Sequence, residues 1–203
     1  SLFCSNLVKS NRILYTPSIF AKTNLIHLQE TGILTAQTPH TSRRDNLSSY
    51  LFFVVLEGAG NLEYDGKTSA LHKGDCVFID CHRQYSHRSS ENLWTLRWVH
   101  FYGPNMNGIY EKYTQRGGRP FFRPKDISPF CAILQRLYAL ADSLDYVKDM
   151  KIFEQLTCLL TLLMQESWQP DKNAVSTIKG RDLQEVKDYL DRHYAQKLTL
   201  DHL

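Results

Sequence analysis

Ser49-Tyr-Leu-Phe-Phe-Val-Val-Leu-Glu-Gly58 opens the stretch that decides the fold. It continues through Asp65-Gly66, Gly74-Asp75 and Cys76–Asp80, and closes on Trp98-Val-His-Phe-Tyr-Gly103. Tyr50–Leu56 is a continuous apolar run of strand length, which predicts a buried strand. Gly58–Gly60 reads as a tight bend. Asn61–Tyr64 and Lys67–Leu71 flank Asp65-Gly66, a two-residue hairpin signal because both central positions require positive φ. Gly74-Asp75 supplies the next turn, Cys76–Asp80 the next strand, and Leu93–Phe101 a long final one. Short strands joined this closely must curl into a barrel or stack as two sheets, and either outcome encloses a walled pocket.

Outward from this block, the pattern changes twice. Residues 1–25 are mixed, with Pro17 and no sustained period, and suit an arm or opening loop that either covers the pocket or reaches elsewhere. Residues 26–115 are dominated by β-branched and aromatic runs. Gly117-Gly118-Arg119-Pro120 interrupts regular structure, and helical spacing takes over from residue 126. Ile127, Phe130, Ile133, Leu134, Leu137 and Ala141 form one stripe; Ile152, Leu156, Leu159, Leu160 and Leu163 form a second. Their short join at Asp142–Asp149 suits an antiparallel pair. With Leu162 and Met164 added, the second helix is apolar over more than half its girth, so one face can cover the barrel while another meets a partner. In the tail, Asp182 and Glu185 can form a capping box ahead of Leu183, Val186, Leu190 and Tyr194. Thr199 reads as the N-cap of a helix that has barely begun at Leu203, so the sequence reads as part of a longer chain.

Composition narrows the classes. A chain of 203 residues, 42% hydrophobic and 22% charged, can bury one good core plus an appendage. Its longest apolar run is far too short to cross a bilayer, and nothing near Ser1 has the blocks of a signal peptide, so a cytoplasmic protein without membrane contact is expected. A net charge of +3 is too small for a nucleic-acid-coating surface. The five cysteines are odd in number and lack a Cys-x-x-Cys spacing. Cys76 and Cys81 fall on opposite sides of a strand roughly 17 Å apart, which predicts reduced thiols packed as small hydrophobes.

Arg43 through Gly103, with the quoted Ser49–Gly58 run, Gly74-Asp75, Phe78-Ile79-Asp80-Cys81 and Trp94 to Gly103, resembles the cupin-like regulatory domain of AraC-type transcription regulators. Val186-Lys-Asp-Tyr-Leu-Asp-Arg-His-Tyr194 and Leu198-Thr-Leu-Asp-His-Leu203 resemble the opening of that family's helix-turn-helix domain. The implied fold class is α+β: a cupin-like antiparallel β-barrel (double-stranded β-helix), an antiparallel helix pair and a truncated helix-turn-helix segment. The implied division is a barrel with its arm over residues 1–118, a helical dimerisation region over 119–178, and the start of the DNA-binding domain over 179–203. The resemblance implies a protein that binds a small-molecule effector, pairs as a homodimer through its helices, and meets a DNA operator only as the full-length regulator. Residues 181–203 carry four basic against five acidic side chains, and the recognition helix would lie beyond them. Residues 1–203 alone are therefore expected to show no specific DNA binding.

Metal-dependent cupin enzymes place a His-x-His before the first glycine and another His after the Gly-Asp turn. Here Gly74-Asp75 is followed by His87, but Ser48, Ser49 and Tyr50 occupy the earlier neighbourhood. A catalytic metal generally needs about three protein ligands. No metal, no other cofactor and no catalytic residue is expected, although His40, His82, His87 and His100 could converge. The alternative is a metal-dependent cupin enzyme, an isomerase or dioxygenase. A pairing module with no effector is a third possibility.

Strand alternation puts Trp94, Leu96, Trp98 and His100 on one face and Thr95, Arg97, Val99 and Phe101 on the other. Tyr85 and His87 share a parity. Arg43 lies where the family's barrels place a basic pocket residue. By likeness, Arg43, Tyr85, His87 and Trp98 line the effector site. An indole covers the apolar face of a sugar while arginine, imidazole and phenol bond its hydroxyls, so a sugar or similar small polar molecule is the expected effector. Each residue also has a plain alternative: Trp98 as core, Arg43 as a surface ion-pair partner, and Tyr85 and His87 as hydrogen-bonded wall.

Overall fold

The computed structural model describes residues 2–4 and 8–168. The elements below lie in one compact unit ending at Ser167. The expected helix-turn-helix residues lie outside the described range.

Tyr50–Glu57 (β5) is the central strand, and its alternation explains its unbroken hydrophobicity. Leu51, Phe53 and Val55 enter one apolar cluster, while Tyr50, Phe52 and Val54 enter another on the opposite face. β5 pairs antiparallel with Cys76–Asp80 (β8) and Thr95–Tyr102 (β10), and β10 pairs on its far side with His27–Ala36 (β3). Leu2–Cys4 (β1), Val8–Leu14 (β2) and Phe121–Phe122 (β11) complete a seven-stranded sheet in the order β1-β2-β3-β10-β5-β8-β11. A second sheet has the order β4-β9-β6-β7, from Thr41–Arg44 (β4), Ala59–Tyr64 (β6), Lys67–His72 (β7) and Tyr85–Ser89 (β9). The inward residues of both sheets share the first cluster, with Leu62, Leu71 and Tyr85 meeting Leu51, Phe53 and Val77. This is the cupin-like antiparallel barrel of an α+β chain.

The hairpin between β6 and β7 turns at Asp65 (φ 53°) and Gly66 (φ 74°), so both positions take the left-handed conformation read from the Asp-Gly pair. Cys76 and Cys81 sit in different clusters on opposite faces, and both are free thiols.

The second cluster is roofed by helices. Ser128–Ala141 (α3) buries Phe130, Ile133, Leu134, Leu137 and Ala141; Lys148–Ser167 (α4) buries Ile152, Leu156, Leu159, Leu160 and Leu163. Both stripes match the sequence reading, and both seat on Phe52, Phe78, Val99 and Phe101. Among the described residues no helix is long and apolar enough to cross a membrane.

Four elements differ from expectation. Residues 8–14 are not a free arm but the strand β2, laddered along β3 from Val8↔Ala36 to Leu14↔Glu30. Ile19–Asn24 (α1) follows, capped by the Ser18 hydroxyl. Between the two, Tyr15 donates its hydroxyl to Asp149 in the first turn of α4 at 2.7 Å, and the Ser18 N–H reaches the same carboxylate at 3.2 Å. Met106–Gln115 (α2) is a helix inside the region read as β; it buries Met106 and Tyr113. Past the glycines, Phe121 pairs with Val77 and returns the chain to the sheet edge.

Candidate functional site

One end of the barrel encloses a cavity of about 330 Å³. Val8, Ser10 and Arg12 of β2 reach it with Glu30 and Leu34 of β3; Ser42 and Arg44 of β4 face Tyr85 and His87 of β9; Leu51 and Phe53, then Leu96, Trp98 and His100, supply the wall from β5 and β10. Alternate residues serve because successive side chains of a strand point to opposite faces.

Of the four residues singled out in the sequence, Tyr85, His87 and Trp98 line this cavity and Arg43 does not. The register explains the difference. Ser42 lies opposite His87 and Arg44 opposite Tyr85, so those pairs share the inward face, whereas Arg43 lies opposite Ser86 on the other face. Arg43 instead meets the Gln84 amide. The inward guanidinium of β4 is that of Arg44.

Glu30 is the ionic anchor. It is buried, accepts from Arg12 Nη2 at 2.7 Å, and accepts from the Trp98 indole N–H at 3.0 Å. Trp98 is also seated by Gly32, directly across the ladder: a Cβ there would stand 2.6 Å from Trp98 Cη2 and 2.6 Å from the Asn11 carbonyl oxygen. Only a residue without a side chain leaves room for the indole.

His87 and His100 are uncharged at neutral pH. Burial depresses His87 to about 4, assisted by the positive fields of His100, His40 and Arg44. Burial likewise lowers His100 to about 4, opposed by Glu30 and aided by Arg44 and Arg12. His100 Nδ1 lies 2.9 Å from the Ser49 hydroxyl, and Nε2 has no hydrogen-bond partner among the described residues. Ser49 is not a lining residue, so this contact orients the ring rather than presenting a nucleophile. His87 is boxed by Phe53 at 5.7 Å, Trp94 at 5.8 Å and the stacked Tyr85 at 6.4 Å, and neither ring nitrogen has a hydrogen-bond partner among the described residues. The Tyr85 hydroxyl is engaged by the Cys81 thiol, and burial raises both groups, Cys81 to about 12. Tyr85 is therefore wall more than donor.

His40 also lines the cavity; His82 lies elsewhere, bonded through Nδ1 to Asp80 at 2.6 Å. Among the described residues no three His, Cys, Asp or Glu side chains are placed to hold a metal ion. Sequence reasoning missed Arg12, Glu30 and Arg44. Val8, Ser10 and Arg12 do alternate, but their inward face is partly polar, so the strand lacks an apolar period.

The family model for the AraC-like ligand binding domain matches residues 27–168. The chain belongs to this family. All the cavity strands of this AraC-like ligand binding domain except β2 fall within the matched span. No curated protein matches the chain. Similar solved structures include the cupin domain of Schizosaccharomyces pombe Cnp3, 12% identical with a TM-score of 0.39 over 51% of this chain and 71% of that one. A cupin 2 conserved barrel domain protein from Salinispora arenicola is 14% identical with a TM-score of 0.38, covering 55% and 88%. The cupin domain of an XRE family transcriptional regulator from Enterobacter cloacae is 13% identical with a TM-score of 0.38, covering 48% and 98%.

Proposed function

We propose that this chain is the effector-sensing and dimerisation part of a ligand-responsive transcriptional regulator of AraC type, acting in the cytoplasm and not an enzyme. The effector is a small polar molecule of the sugar kind, bound in the barrel cavity. The full-length protein pairs through its helical region and reads a DNA operator.

His87 carries the reading. An imidazole held neutral inside a walled cavity, with a free donor and a free acceptor, is suited to bind hydroxylated molecules. Trp98, fixed by Glu30 and Gly32, supplies a flat apolar surface to the same cavity. The family match and the tail's likeness to a helix-turn-helix opening support the link to DNA. For pairing, Phe153, Thr157, Leu160, Thr161 and Met164 of α4 line a groove of about 460 Å³ that can admit side chains of a second copy.

Thermal denaturation against sugars, polyols and their oxidised derivatives tests the reading. A ligand at a hundred times its dissociation constant adds about 2.7 kcal/mol. In a chain of this length that is a rise of about 5–10 °C. His87→Phe and Trp98→Ala should each abolish the rise; persistence in both variants would remove the cavity from the function. Sedimentation should give a dimer, and a monomer at high micromolar concentration would reject pairing.

His40, His87 and His100 do share the cavity, which is the observation favouring a metal-dependent isomerase or dioxygenase. Stoichiometric iron, manganese, nickel or zinc surviving dialysis would favour that enzyme.

A further inference from the structure

The cavity's hydrogen-bonding groups are unbalanced. Both Glu30 oxygens already accept a bond, one from Arg12 and one from Trp98, so this carboxylate, the only one lining the cavity among the described residues, is engaged. The donors are not. Arg44 makes no ion pair among the described residues, and the Ser42 hydroxyl and the His87 ring are likewise unbonded. These three stand together by register: Ser42 opposite His87, Arg44 two residues along the same face. With His87 and His100 neutral and Arg12 paired to Glu30, Arg44 is the lining arginine left without a counter-ion among the described residues.

We propose that the effector is a monocarboxylate, its carboxylate seated on Arg44, Ser42 and His87 and its uncharged hydroxylated body resting against Trp98; this rests on the effector-sensing reading above and narrows it to sugar acids and their like. A carboxylate takes a bond from each of these donors and also answers the cation that has no carboxylate partner among the described residues, whereas a neutral sugar leaves that charge unanswered. Arginine holds carboxylates by two parallel bonds, adding geometry to charge. A phosphate monoester carries about 1.5 to 2 negative charges at neutral pH and would overshoot the single cation. At about 330 Å³ the cavity stands near the lower end of ligand-pocket sizes, consistent with a small acid.

The test uses matched probes differing only in the charged group: D-galactose against D-galacturonate, D-glucose against D-gluconate, and benzyl alcohol against benzoate. Binding is followed by calorimetry and thermal shift at low and high salt. In at least one pair the acid should bind and its neutral counterpart should not, with affinity falling as salt rises. Arg44→Leu, on an exposed strand, should weaken the acid by about tenfold or more, Arg44→Lys should restore part of the loss, and Arg43→Leu should leave it unchanged. The His87 ring protons should titrate at higher pH in the acid complex, a shift that a merely structural Arg44 would not produce. Neutral probes binding as tightly as their acids would overturn the monocarboxylate while leaving the sensing cavity standing, as would acid binding indifferent to Arg44→Leu. Silence from every probe would take both readings down together.

Discussion

Replacing Glu30 by Gln alters one atom type and tests whether the anchor of the cavity also supports the fold. The Glu30 side chain is 10% exposed and that of Arg12 33%, so the pair is only partly screened by water. Glutamine can keep the bond from Trp98 through its oxygen, but its amide then presents N–H groups to the Arg12 guanidinium. Arg12 Nε already lacks a partner, so the arginine has little slack. A hydrogen bond to a charged group contributes about 1.5–3 kcal/mol, and the Trp98 bond weakens as well. The expected cost is about 2–3 kcal/mol, a fall in melting temperature of about 5–10 °C for this size of chain. The control is Glu57→Gln, which breaks a pair to Lys73 whose side chains are 63% and 62% exposed; it should cost under about 0.5 kcal/mol. Urea midpoints measure both. In a double-mutant cycle with Arg12→Met, Glu30→Gln should show a coupling of about 1–2 kcal/mol, because the second change removes the cation that the first stranded. Equal costs for Glu30→Gln and Glu57→Gln, or strict additivity in the cycle, would refute the assignment of Glu30 as anchor.

Acidification should act through His87 and His100. Both sit near 4 in the fold against about 6.5 unfolded, so the unfolded chain takes up protons first. Their contribution is whole above about pH 6.5, falls as pH drops towards 4, and is then constant; the two together can cost up to about 7 kcal/mol, and the His87→Gln, His100→Gln double variant should flatten that stretch of the stability profile. Gly32→Ala drives a methyl into the Asn11 carbonyl and the Trp98 ring, and should cost about 1–3 kcal/mol with an altered tryptophan emission spectrum. An unchanged spectrum would mean that the indole is not seated there. Tyr15→Phe deletes the bond to Asp149 and should lower stability by about 1 kcal/mol by denaturant titration. No change would show that water replaces the hydroxyl at no cost.

What the sequence made legible follows from how each face is buried. β5, β8 and the stripes of α3 and α4 meet apolar neighbours, so their periods survive in the residue string. The Asp65-Gly66 turn was readable because its backbone excludes most residues. β2 was not, since Arg12 turns inward only to meet Glu30, a partner 18 residues away. α2 carries Met106, Ile109, Tyr110 and Tyr113 at helical spacing, a signal obscured by Gly108 and by the aromatic run before it. Of the site, Trp98 could be placed on a face of a located strand and Tyr85 and His87 share a parity, but all of these were named by likeness to the family. Arg43 was named from its place in the family's barrels; β4 is a short polar edge strand with no apolar alternation, so parity could not show that Arg44 is the one facing inward.

The two faces of β5 give it a division of labour. Positions 51 and 53 touch the chamber that would hold a ligand, while 50, 52 and 54 seat the helices. The interior can therefore be recut, one odd-numbered residue at a time, with the helical roof left undisturbed. Deleting a single residue within the strand would exchange the two sets and ruin both tasks at once. Point substitution is open to this strand as a route to new ligands; insertion and deletion are closed.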